Sequence, residues 1–426
     1  MLSKFLSSGL GKIFTGHISV QITSILQTIL ITRILGPQGK GDFTLIIIYP
    51  TIIAGFSLLG LYTGIVKISA KKNLYEKYNI EKTVLTATFI TGFLGTVISI
   101  VICPIILKDT NSNIIFLAQL FSLFIFANNI GRGFIAIDHG QKNYIRYSIT
   151  RAILNPIFLL FVTILFISDK INLTNIIFFL LISNCIVSII RIWLGISRYK
   201  KNTPKFPIPS LFKYSIKFSF SDFAEPIYIY YDKVIVALVL STYDLGIYTT
   251  AYTAAAMVSI LSTVYATKIF SDIASGGGIE QTIYSIRQNI ILTFLSALII
   301  ICILPITIPM VFGEDFTPAV LPASILLITC CLQGQSMIIE RSILAKGYPF
   351  IGIFAKIIAM ISFALLSFIF YYLNHINIYT IVLISIITQF IYLLYMTYQM
   401  RKIFRTNLSI IPSWKDVKKL FLIVLH

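Results

Sequence analysis

The sequence predicts an all-α membrane protein of about twelve transmembrane helices. Three observations carry that reading. Of the 426 residues, 57% are hydrophobic and only 12% charged, whereas a soluble domain carries about a quarter charged residues. So apolar a chain needs a bilayer to solvate its outside. Apolar stretches of bilayer-crossing length then recur twelve times, over 12–35, 43–68, 83–107, 113–137, 145–168, 174–197, 214–240, 246–272, 288–312, 317–343, 349–373 and 376–400. Finally, threading these spans puts 29 of the 34 Lys and Arg residues on one side and 4 on the other, with Lys233 inside a span. The positive-inside rule makes the rich side cytoplasmic, with both termini there, in a multi-pass inner-membrane protein.

The net charge of +18 sits in short clusters between spans, which excludes a nucleic-acid partner in favour of the lipid bilayer. The first apolar stretch lacks a cleavage site and stays as a helix. Turn residues punctuate the spans, among them Gly36-Pro37, Lys108 to Asn111 and Gly313-Glu314-Asp315. The five cysteines lie inside apolar stretches without metal spacing, as small packing residues. No Walker A, HExxH or GxSxG motif is present, the Ser275–Glu280 glycine loop lacks a following Lys-Ser/Thr, and no cofactor is expected.

The longest internal polar connection, Tyr199 to Phe212 with three prolines, separates six spans from six. It defines an N-terminal lobe (1–200), a cytoplasmic linker (201–212), a C-terminal lobe (213–400) and a basic cytoplasmic tail (401–426). The tail reads either as an interfacial amphipathic segment or as a disordered basic end. The halves repeat weakly. Gly41 matches Gly246 at an offset of 205, and Gly140 matches Gly347 at 207. Both halves start in the cytoplasm, so the repeat is parallel, a transporter signature that places a cavity between the lobes.

Ionisable residues inside spans are costly and face an interior or a cavity. The seventh span concentrates Asp222, Glu225, Asp232 and Lys233 on one broad face, with Pro226 expected to kink or break it. One lysine does not neutralise three carboxylates. Either one acid titrates or holds a cation, or these charges pair with neighbouring helices. In the first span His17, Gln21, Ser24, Thr28 and Thr32 form a polar stripe that lines a cavity or bonds between helices. The basic candidates are Arg33, Arg132, Arg151 and Arg191. Their planar forks suit phosphate, while Arg132 and Arg191 also lie close enough to span ends to snorkel to headgroups.

Three stretches carry a family resemblance. Thr32–Ala70, with Arg33, Leu35, Gly36, Pro37, Gly41, Gly60 and Lys67, resembles the first two helices of the polysaccharide transporters, the Wzx-type oligosaccharide flippases. There, an LGP turn precedes the second helix; here Gly41 falls four residues after Pro37, so the turn match is approximate. Tyr231–Ala255, with Asp232 and the Gly246–Tyr248 turn, and Val311–Leu326 are similar to later stretches in the right order. The resemblance implies the fold of the multidrug/oligosaccharidyl-lipid/polysaccharide (MOP) exporter superfamily, with two six-helix lobes around a central cavity. It implies a non-enzymatic flippase that moves undecaprenyl-pyrophosphate-linked oligosaccharide by alternating access. Coupling to H+ or Na+, and partnership with a polymerase and other polysaccharide-assembly proteins, follow from the same resemblance. A drug/cation antiporter of the superfamily is the alternative. A membrane polymerase or glycosyl/acyltransferase ranks last, because the extracytoplasmic loops are short.

Overall fold

The computed structural model describes residues 9–197, 203–274, 278–406, 409–413 and 416, with side chains from Ile22 onward apart from those at 72, 76, 144, 221, 271, 274 and 281. The described residues form helices and no strand. Among them, nine helices are long and apolar enough to cross a membrane, and a bent pair, Ile22–Ser57 with Leu61–Ser69 at 47°, qualifies jointly.

The helix Gly9–Ser57 breaks at Gly36 (φ 66°, ψ 179°) into α1 (9–35) and α2 (37–57). Gly36 supplies a backbone angle that side chains resist, and Pro37 opens the next helix with its preset φ. The loop expected between the first two spans is therefore a single-residue corner. The second expected span, 43–68, is also interrupted. α2 stops at Ser57 and α3 (Leu61–Ser69) restarts after Gly60, which is left-handed at φ 74°. A Cβ at Gly60 would collide with the Ser215 carbonyl and the Ser219 amide. α4 (Ile80–Ile106), α5 (Ser112–Gly140), α6 (Ile145–Ile167) and α7 (Leu173–Ile196) follow. Asparagines in the polar gaps cap them: Asn79, Asn111, Asn143 and Asn172 each accept a backbone N–H of the helix they start.

The chain packs into two compact units on either side of the Tyr230–Tyr231 bond. That boundary differs from the expected linker at 201–212, for a visible reason. Asn79 donates its amide to Pro204 at 2.8 Å, and Thr83 its hydroxyl to Phe206 O at 2.8 Å. The short α8 (Ile208–Ser215) then buries Leu211 with Leu61, Ile65, Val84, Phe134 and Ile137. The described part of the linker is thus built into the first unit.

α9 (Ser219–Val239) is not among the nine apolar spans, because it carries Asp222, Glu225, Asp232 and Lys233. It runs through Pro226 without the expected break, and the proline ring lies against Gly55 of α2, where no side chain obstructs it. The second unit continues with α10 (Thr242–Phe270), α11 (Ile279–Phe312), α12 (Val320–Ala345), α13 (Pro349–Tyr372) and α14 (Ile378–Phe404). Polar links tie these helices together where lipid offers no hydrophobic drive. Asn289 donates to Ser262 at 3.0 Å, Lys356 pairs with Glu340 at 2.9 Å, and Tyr392 donates to the same carboxylate at 3.0 Å.

Candidate functional site

Two of the predicted arginines meet in the first unit. The break at Gly60 starts α3, whose first turn carries Tyr62 and Thr63, both half-buried. The Tyr62 ring lies under Arg132 of α5, 5.5 Å from guanidinium carbon to centroid, a cation–π distance. The Tyr62 hydroxyl is 3.3 Å from His139 Nδ1. The His139 ring packs on Tyr147 of α6 at 4.9 Å. One turn along α6, Arg151 Nη1 donates to the Tyr147 hydroxyl at 3.0 Å. Arg132 and Arg151 both act electrostatically on Tyr62, so the two cations share one neighbourhood. Arg132 is eight residues from the end of α5 and Arg151 six from the start of α6, which places both about 9–12 Å inside their helices.

Asp222 of α9 joins this cluster. Thr63 donates its hydroxyl to Asp222 Oδ1 at 2.8 Å, Arg132 and Glu225 act on the carboxylate, and Oδ2 is buried without a hydrogen-bond partner. Glu225 is exposed. The sequence placed Asp222 with the other acids of its helix. The structure keeps it within reach of Glu225 and adds Arg132 of α5.

The remaining arginines sit elsewhere. Arg191, 9% exposed, donates Nε and Nη2 to the Thr150 carbonyl at 3.0 and 2.6 Å. It serves a backbone oxygen of α6 six residues before Pro156. Replacing Arg191 by Met should lower the thermal stability of the purified protein by about 1.5–3 kcal/mol, the worth of a charged hydrogen bond, with substrate binding reduced only through the displaced α6. A melting temperature unchanged from wild type counts against this assignment. Arg33 is exposed on α1, three residues before the corner at Gly36. Tyr62 lies beyond the far end of α2, about 30 Å along the helix, so Arg33 is not part of the cluster. His17 and Gln21 lie outside the residues whose side chains are described.

Asp232 and Lys233 belong to the second unit. Lys233 Nζ reaches its neighbour's Oδ1 at 3.3 Å, although adjacent helical side chains seldom face each other. Tyr248 donates to Asp232 Oδ2 at 2.9 Å. The Lys233 ammonium sits 4.3 Å from the Tyr252 ring centroid, and Tyr252 donates to Gln333 at 3.2 Å. Tyr62, Thr63, His139 and Tyr147 were not singled out from the sequence. The i, i+4 spacing of Tyr147 and Arg151 was the one signal available for them.

Solved structures with this architecture cover nearly the whole chain. The lipid II flippase MurJ, in its inward closed conformation, matches with a TM-score of 0.73 at 18% identity over 97% of this chain and 92% of that one. An inward-facing multidrug resistance MATE transporter matches at 0.68 and 14% identity, covering 91% and 96%. A MOP superfamily transporter from Pyrococcus furiosus matches at 0.63 and 13%, covering 95% and 99%. No curated protein sequence matches this chain. The protein is thus a multi-pass membrane protein with the fold of the MOP exporter superfamily. At the level of sequence, the polysaccharide biosynthesis protein family matches residues 6–270, and the chain belongs to that family.

Proposed function

We propose that the chain is a flippase that moves an undecaprenyl-pyrophosphate-linked oligosaccharide, an O-antigen, capsule or exopolysaccharide repeat unit, across the cytoplasmic membrane by alternating access. The carrying observation is the pairing of Arg132 and Arg151 within a ring of tyrosine, histidine and threonine side chains. Two guanidinium groups can fork onto pyrophosphate oxygens. The hydroxyls and imidazole supply further polar partners. The same two cations repel a cationic drug, which disfavours an antiporter of that class. The test is to delete the gene and extract lipid-linked repeat units. Their accumulation on the cytoplasmic face supports the proposal, and unchanged levels defeat it.

Of the four charged groups predicted for ion coupling, Asp222 suits the task best. Ionised, it neutralises Arg132 and competes with the pyrophosphate. Protonated, it releases Arg132 to the substrate. Anion binding should therefore strengthen as pH falls through the range where Asp222 titrates among Thr63, Arg132 and Glu225. Asp222→Asn should hold the site in its binding form and flatten that pH dependence, read by titrating a fluorescent polyprenyl diphosphate at several pH values. A pH profile identical to wild type rules out this coupling.

A further inference from the structure

The first unit carries a second feature that the arginine cluster does not use. A half-open cavity of about 510 Å³ lies along α2 and α4. Its walls are Ile52, Ile53 and Phe56 of α2, Leu94 and Ile98 of α4, and Phe223 of α9. Leu94 and Ile98 stand about half exposed along its open side, at 52% and 49%. The lining is almost wholly apolar, so it suits hydrocarbon rather than sugar.

Chain neighbours link the cavity to the cationic cluster. Phe223, whose ring lies 4.9 Å from that of Phe56, is the residue after Asp222. Ser57, at the rim, accepts a hydrogen bond from Asn129 at 2.8 Å, and Arg132 follows Asn129 by three residues. Along α4 the lining runs from Thr91 to Ile102, about 16 Å at 1.5 Å per residue, or roughly one leaflet of a 30 Å hydrocarbon core. We infer that this groove holds the start of the isoprenoid chain of the lipid-linked substrate while its pyrophosphate lies on Arg132 and Arg151. The inference rests on the flippase reading above. What selects a polyprenyl diphosphate over a bilayer phospholipid is the abruptness of the boundary. Phe56 and Phe223 follow the cluster directly, and Ser57 already serves Asn129. A phospholipid would set its glycerol esters against those two rings, whereas a polyprenyl chain begins at the phosphate oxygen itself.

The test uses the full-length protein in phosphatidylethanolamine/phosphatidylglycerol vesicles and a polyprenyl diphosphate with a diazirine in its first isoprene units. After irradiation, labelled peptides are mapped by mass spectrometry. Labels on α2 and α4 around Phe56, Leu94 and Ile98 are expected. They should disappear with excess unlabelled polyprenyl diphosphate and in Ile98→Trp and Leu94→Trp, two substitutions at exposed positions that fill the groove without touching the core. Undiminished labelling in both variants overturns the inference. So does equal labelling by a phosphatidylglycerol carrying the same diazirine. Probe bound and labelled only outside the groove removes the groove but leaves the flippase reading intact. Failure of lipid-linked units to accumulate in the deletion strain removes that reading instead.

Discussion

Arg132→Gln should cut translocation of the lipid-linked substrate by roughly 10–100-fold. One charged hydrogen bond to phosphate is worth about 1.5–3 kcal/mol, and each 1.4 kcal/mol is about tenfold. The Arg132 guanidinium is half-buried above Tyr62 and faces Asp222, so the amide keeps the shape and loses the charge. Arg132→Lys should recover only part of the loss, because an ammonium does not present a planar fork. Arg151→Gln should act in the same direction. The double variant should fall short of the product of the two losses, because both cations share one anion. Lipid-linked repeat units accumulating on the cytoplasmic face, normalised to protein level, read the effect. Wild-type flux in Arg132→Gln removes the cluster from the substrate path.

The second large effect lies in the second unit. Asp232→Ala should destabilise the protein by about 3–5 kcal/mol, the usual result of removing one partner of a buried ion pair. Asp232 is 7% exposed, and it gives up both an ammonium and a tyrosine hydroxyl when truncated. Lys233 is then left over the Tyr252 ring with its carboxylate gone. Replacing both residues, as Asp232→Leu with Lys233→Met, should restore most of the lost stability, since apolar pairs of similar volume often substitute without cost. Thermal unfolding of the purified protein and membrane yield report this. Normal folding of Asp232→Ala with transport abolished would show that the carboxylate acts on an ion and is not a structural partner.

The sequence revealed the spans, because a bilayer-crossing helix is written as an uninterrupted apolar run. It revealed the turns less well. Gly36-Pro37 was legible as a break, but not as a corner of one residue. The interruption at Gly60 was invisible, since Leu58 to Leu61 is as apolar as its flanks and only the left-handed backbone marks it. That interruption starts the turn that carries Tyr62 and Thr63. Arg132 and Arg151 were legible as candidates because a guanidinium inside a span is rare. Asp222 was legible as an acid but not as their neighbour, since its helix lies far along the chain. The partner of Arg191 was not legible, because it is a backbone carbonyl, which no residue type announces. Pro226 was expected to interrupt its helix, and the glycine of α2 that accommodates its ring lies far away in sequence.

The bond between Arg191 and the Thr150 carbonyl also bears on how the protein is made. An arginine inside a span adds to the cost of insertion, by up to about 2.5–3.5 kcal/mol at the centre, and Arg191, five residues from the end of α7, bears part of that cost. α6 precedes α7 in the chain, so the acceptor at Thr150 is already in the bilayer when Arg191 emerges. Chain order therefore supplies the donor with a waiting partner. An insertion assay of α7 with and without α6 ahead of it should find the shorter chain less completely inserted. Equal insertion of the two would mean that the arginine reaches water on its own.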